Sequence, residues 1–127
     1  MSPYGSDDAS LPLKFLKQPF ETKMYCEMGP EAYLFEKGNF TFNYHDVSIS
    51  PETFKTDSKL SKFWDVTAVS YDSAGKEFVA SIEAKDYPFM ATQFHPEKTI
   101  GSWFPTSNFN HSWESIRLNR MFVDLFV

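Results

Sequence analysis

The chain has 127 residues, room for one small domain but not for two comfortable ones, and its 42% hydrophobic and 23% charged residues exclude wholesale disorder. A net charge of −5 and twelve scattered basic residues exclude the clustered cations that nucleic acid demands, and no apolar run nears the roughly 20 residues of a membrane span. The single cysteine, Cys26, excludes an internal disulfide, and the spacing of His45, His95 and His111 makes a metal site unexpected.

Residues 1–10 are polar, with Gly, Pro and two Asp, and read as a flexible lead-in without the basic and apolar segments of a secretory signal. Residues 11–127 form the expected globular part. "LPLKFL" (11–16) is a short extended run ended by Pro19, and "KMYCEM" (23–28) has the composition of a strand. "GPEAYLFEKG" starts a short helix at Pro30 and stops it at Gly38. "NFTFNYHDVSIS" (39–50) is a strand signal, β-branched and aromatic, closed by Pro51. Within it Phe40, Phe42 and Tyr44 alternate, as residues on one packed face do.

"PETFKTDSKLSKF" reads as loop with one helical turn. "WDVTAVSYD" (64–72) and "EFVASIEA" (77–84) flank "SAGK", which predicts a β-hairpin with Gly75 in its turn. "YPFMATQF" (87–94) is a third, apolar strand, followed by an irregular segment holding Trp103, Phe104 and Pro105. Trp103 and Phe104 either line a cleft or cover the sheet.

"NHSWESIRLNRMFVDLFV" predicts a helix capped by Asn110 or Ser112, with Glu114 in its first turn. Trp113, Ile116, Met121, Leu125 and Phe122 recur at three- and four-residue steps and mark its apolar face. The pattern is still apolar at Val127, which is expected where a sequence has been cut short. With aromatics at 18%, including 14 Phe, the chain has the material for a core and apolar surface to spare.

The chemistry concentrates in "MATQFHPEK" (90–98), where an apolar run delivers a histidine fixed by proline with a carboxylate two residues on. Such an arrangement suits general acid–base work: the strand holds the backbone, the turn aims the imidazole, and the carboxylate fixes its tautomer. A surface turn with a solvent-facing histidine is the ordinary reading of the tripeptide alone.

The longer stretch "YPFMATQFHPEK" resembles the histidine motif of class I glutamine amidotransferase-like enzymes, in particular the γ-glutamyl hydrolases of peptidase family C26. "LPLKFL", "TKMY", "NYHDVSISPETF" and "LSKFWDVTAVSYDSAGKEFVASIEA" follow that family's order at similar spacing, so the resemblance covers roughly residues 8 to 127. Ala91 replaces a usual glycine and Phe94 a common tryptophan.

The resemblance implies an α/β fold: the C-terminal part of a flavodoxin-like sheet with a β-hairpin and a C-terminal helix, incomplete as a stand-alone domain. It implies His95 as catalytic base and acid of a Cys–His pair, Glu97 as its orienting carboxylate, and Asn43 and His45 beside the substrate cleft. No cofactor or metal is implied. The activity implied is hydrolysis of folate poly-γ-glutamate or γ-glutamyl peptides.

The family's nucleophile stands in a Gly-x-Cys-x-Gly elbow. Around Cys26 the chain has "YCEMG", with Met24 and Met28 where both glycines belong, so Cys26 reads as an ordinary cysteine. The chain is therefore expected to be inactive alone, and its partner to be another protein segment or chain that supplies the missing half of the sheet. A structural subunit of a larger assembly is the alternative. "NFT" and "NHS" make Asn39 and Asn110 candidate N-glycosylation sites, which would suit a family usually lysosomal, vacuolar or secreted.

Overall fold

A computed structural model describes residues 2–125. The sequence pattern of the last helix runs on to Val127, and residues 126 and 127 lie outside the described part, as does Met1.

The architecture is α/β. Strands β1 (Ser2–Leu11) and β3 (Thr41–Ser48) form an antiparallel pair, and β2 (Lys14–Phe15), β4 (Trp64–Tyr71), β5 (Glu77–Ala84) and β6 (Met90–Thr92) form a second sheet in the order β2-β4-β5-β6. All these pairings are antiparallel. Helices α1 (Leu34–Lys37), α2 (Pro51–Thr56), α3 (Ser58–Phe63), α4 (Pro96–Gly101) and α5 (Trp113–Asp124) fill the connections and the end of the chain. None is long and apolar enough to cross a membrane.

The β4–β5 hairpin forms as its pattern predicts. Tyr71 faces Glu77 at its mouth, and Gly75 adopts φ 78°, a left-handed conformation that costs glycine nothing. Asp72 clamps the turn by accepting from the amides of Ala74 and Lys76 at 2.9 and 2.7 Å. Its other oxygen accepts from the Gly5 amide at 3.0 Å. These backbone donors, Gly5 first, hold the Asp72 carboxyl below its ordinary range.

That last bond bears on a difference from the sequence reading. The stretch read as a flexible lead-in, residues 1–10, is a paired strand from Ser2 onward. Its polar side chains are held by distant partners: Tyr4 packs edge-on against Phe78 at 5.5 Å, and the Asn108 amide donates to Asp8 at 3.0 Å. Composition cannot show such anchors.

Three other readings change. "KMYCEM" is no strand: Cys26–Tyr33 is a 3-10 stretch kinked at Gly29, because Met24, Tyr25 and Met28 must all turn inward. Residues 51–63 hold two short helices, each with a side-chain cap: Ser50 Oγ accepts from Thr53 N, and Asp57 Oδ1 from Lys59 N and Leu60 N. The third strand shrinks to Met90–Thr92, since Tyr87 and Phe89 stack on the surface at 5.6 Å instead of entering the sheet.

Helix α5 is capped by Ser112, whose Oγ accepts from the Ser115 amide at 3.1 Å, while Asn110 supports it by accepting from Ser112 N. Its buried face is Ser115, Leu118, Asn119 and Phe122, an i, i+3, i+4, i+7 stripe. Trp113, assigned to that face by the apolar pattern, is 78% exposed, and Ile116, Met121 and Leu125 flank the stripe. Asn119 is tolerated inside because its amide donates to the Phe40 and Ser115 carbonyls at 2.7 and 2.8 Å.

Phe122 is the hub of the core. Its ring meets Tyr25, Phe35 and Phe94 at centroid distances of 5.9, 5.5 and 5.4 Å. Phe122→Ala is expected to lower the unfolding free energy by about 3–5 kcal/mol. Ser112→Ala should cost about 1 kcal/mol. Both are read from the urea midpoint at constant slope.

Candidate functional site

The site is assembled on β3 and on the turn after β6. The His95 amide donates to the Phe42 carbonyl at 2.8 Å, and the His95 carbonyl accepts from Lys98 N at 3.3 Å as α4 begins. Pro96 at the first helical position fixes the direction of that helix and needs no amide partner there. His95 is thereby held at both backbone ends.

Its Nδ1 lies 2.9 Å from Glu97 Oε1. An ionised carboxylate only accepts, so Nδ1 carries the proton. In a neutral ring Nε2 is then the basic nitrogen, and it has no hydrogen-bond partner among the described residues. Such an imidazole is set to take a proton at Nε2 and to give it back.

On β3, Asn43 and His45 share a face. Asn43 is buried, and its amide nitrogen donates to the Thr41 carbonyl at 2.9 Å, leaving its oxygen as an acceptor. That oxygen lies 3.0 Å from His45 Nε2. On the other side of the ring, Nδ1 lies 2.9 Å from Ser48 Oγ and 3.1 Å from Ser6 Oγ. The amide oxygen cannot donate, so Nε2 bears the proton and the hydroxyls face a lone pair.

Burial, and next the nearby charge of His95, push the His45 pKa below its ordinary 6.5, partly offset by the Val47 backbone and then by Asp7 and Asp46. His45 on β3 and His95 on the turn after β6 are therefore near enough for each to feel the other's charge. Ser6 and Ser48, which hold His45, were missed by the sequence reading. Ser48 is three residues on in the same strand and carried a local signal; Ser6 carried none.

Other candidates fall elsewhere. The Cys26 thiol is exposed and donates weakly to the Lys23 carbonyl at 3.6 Å; no hydrogen bond joins it to His95. Phe42 is buried but its neighbour Tyr44 on the same face is 54% exposed, so the three aromatic residues do not form one packed face. Trp103 stacks on His111 at 3.8 Å, and Phe104 lines a cavity with Tyr44 and Lys98. Asn39 is exposed, whereas the Asn110 side-chain amide donates to the Asn39 carbonyl at 2.9 Å. Among the described residues no group of three or more His, Cys, Asp or Glu could hold a metal ion.

The family model for class-I glutamine amidotransferases matches residues 17–114, which contain the hairpin, β3 and the His95 turn. The chain belongs to that family. Among curated proteins it is 33% identical over 129 residues to γ-glutamyl hydrolase B of Dictyostelium discoideum, with 100% of this chain and 37% of the relative aligned. It is 30% identical to the γ-glutamyl hydrolase of Rattus norvegicus over 97% of this chain and 39% of the relative. Against the Homo sapiens γ-glutamyl hydrolase the identity is 29%, over 94% and 38%. The chain thus spans less than two fifths of these relatives' length.

The lowered pKa of His45 has a consequence for stability. Below pH 6.5 the unfolded chain protonates this residue while the folded chain still resists. The unfolded state then binds more protons, so stability falls as pH drops through that window. The melting temperature is expected to fall less steeply in His45→Gln than in the parent protein, measured from about pH 7.5 to about pH 5.

Proposed function

We propose that this chain is the histidine-bearing part of a γ-glutamyl hydrolase that cleaves folate poly-γ-glutamate or γ-glutamyl peptides. The contact that supports this reading is His95 Nδ1 to Glu97 Oε1 at 2.9 Å, which leaves Nε2 available. In the complete site a cysteine thiolate attacks the γ-amide carbonyl, forming a tetrahedral intermediate. His95, protonated at Nε2, gives its proton to the leaving amine. Water, deprotonated by the same nitrogen, then releases the acyl group from sulfur. Asn43 and His45 border the substrate cleft near the imidazole, with Asn43 buried behind His45 and fixing its ring.

The nucleophile comes from another protein segment or chain, since Cys26 makes no bond to His95 and lacks the elbow's glycines. Alone, the chain has a base and no thiolate for it to serve. It is therefore inactive by itself.

A second reading, a non-catalytic structural subunit derived from the same fold, is favoured by one observation. Phe63, Tyr87 and Phe89 stack on the surface, 37%, 52% and 53% exposed, with Phe63 and Tyr87 5.6 Å apart. Exposed apolar patches of this kind mark contact surfaces.

Hydrolysis of a γ-glutamyl amide separates the two. The purified chain should show none; with the elbow-bearing segment supplied, turnover should appear and His95→Ala should lower kcat by about 10²–10⁴-fold. Turnover by the chain alone that survives Cys26→Ser but is lost in His95→Ala would contradict the missing-nucleophile reading. Absence of turnover in the completed assembly favours the structural subunit.

Of the two sequons, Asn39 is the one we assign to glycosylation, because its side chain is exposed while the Asn110 amide is engaged. Mass spectrometry after expression through a secretory pathway should find the added sugar mass on Asn39 and not on Asn110.

A further inference from the structure

Residues alternate across a strand, so Phe42 and Tyr44 point away from Asn43 and His45. On their side, between β3 and the segment after α4, lies a cavity of about 220 Å³. Its apolar wall is made by Phe42, Phe104 and Phe109, with the rings of Phe42 and Phe109 4.2 Å apart. Its polar wall is Lys98 with Ser102 and Ser107.

These polar groups are not used up inside the chain. Lys98 Nζ sits 4.6 Å from the centroid of the Tyr44 ring and makes no ion pair among the described residues. The Ser102 and Ser107 hydroxyls likewise have no hydrogen-bond partner there, although both backbone amides do. A cation and two hydroxyls therefore border one concavity beside aromatic faces, in a chain of net charge −5.

The chemistry selects its ligand. An ammonium with hydroxyl donors suits a carboxylate, and aromatic faces suit a planar ring. A bare inorganic anion would leave the rings unused. The cavity is also bolted to the catalytic candidate: Phe42 and Lys98, one from each wall, are the two residues bonded to the His95 backbone. A molecule seated here lies next to the imidazole turn.

We propose that Lys98 is a specificity-determining residue: it anchors a free carboxylate of the amide substrate while the Phe42, Phe104 and Phe109 wall receives an aryl group of the same molecule. This rests on the γ-glutamyl hydrolase reading for its substrate, but the site can be tested by binding alone. Lys98 takes no part in proton transfer.

The experiment is a calorimetric titration of the intact chain with N-benzoyl-L-glutamate, its uncharged diamide, and inorganic phosphate. N-benzoyl-L-glutamate should bind, the diamide should bind at least about tenfold more weakly, and phosphate should not compete. Lys98→Met should weaken N-benzoyl-L-glutamate by about tenfold and leave the diamide unchanged, with Lys98→Arg restoring most of the loss. Phe104→Ala should weaken both aryl compounds, and His95→Ala neither.

Equal binding of N-benzoyl-L-glutamate to the parent and Lys98→Met proteins overturns the assignment, as does competition by phosphate or failure of the ligand to bind a chain with the parent's melting temperature. If the completed assembly hydrolyses nothing while this binding pattern holds, the hydrolase reading fails and the carboxylate site stands. Turnover with no effect of Lys98→Met on binding gives the reverse.

Discussion

The bond from the His95 amide to the Phe42 carbonyl is the constraint on which the site depends. It belongs to the backbone, so it fixes where the histidine turn sits whatever side chains surround it. Through it, α4 and its residues are registered against β3. One face of that strand then carries Asn43 and His45, and the other borders the aromatic cavity. The strand is itself held from two sides, by β1 along its length and by the Val79 amide on Ile49 O at 2.9 Å just past its end. A single peptide position thus relates the His95–Glu97 pair, a polar network and an aromatic-walled concavity.

Much of this was legible wherever the determining contacts are local. The hairpin declares itself through alternation and Gly75, and the His95–Glu97 pair spans only two residues. Helix α5 was legible as a helix, but its inner face was misread. Hydropathy places Trp113 inward, whereas the core is lined by Ser115 and Asn119, the Asn119 amide donating to the Phe40 and Ser115 carbonyls. Polar residues that bury themselves by pairing leave no mark in an apolar pattern.

Strand β1 was illegible for another reason. Its composition is that of a loose terminus, and its order comes from Phe78, Asp72 and Asn108, far away in the chain. Ser6 belongs to the same case. The serine contributes to a histidine network that no window of sequence around either residue could suggest. Family resemblance supplied the identity of the candidate residues; the structure supplies the hydrogen-bond partners that orient their rings.

The aromatic content is divided between two uses. Tyr25, Phe35, Phe94 and Phe122 form the buried centre, and burial pushes the Tyr25 hydroxyl far above its ordinary range even though Ser81 bonds it at 2.9 Å. Phe104 and Phe109 border a cavity, and Phe63, Tyr87 and Phe89 stack on the surface. The chain therefore combines a packed interior with exposed rings.

The span of the Ser6–His45 contact, 39 residues, sets an order of events during folding. The β4–β5 hairpin closes over a short loop and needs nothing from the ends of the chain, while the clasp around His45 must wait for β1 to find β3 across a much larger loop. The lowered basicity of His45 therefore belongs to the closed strand pair and not to the hairpin, and exists only where residues near the start of the chain have met the middle of it.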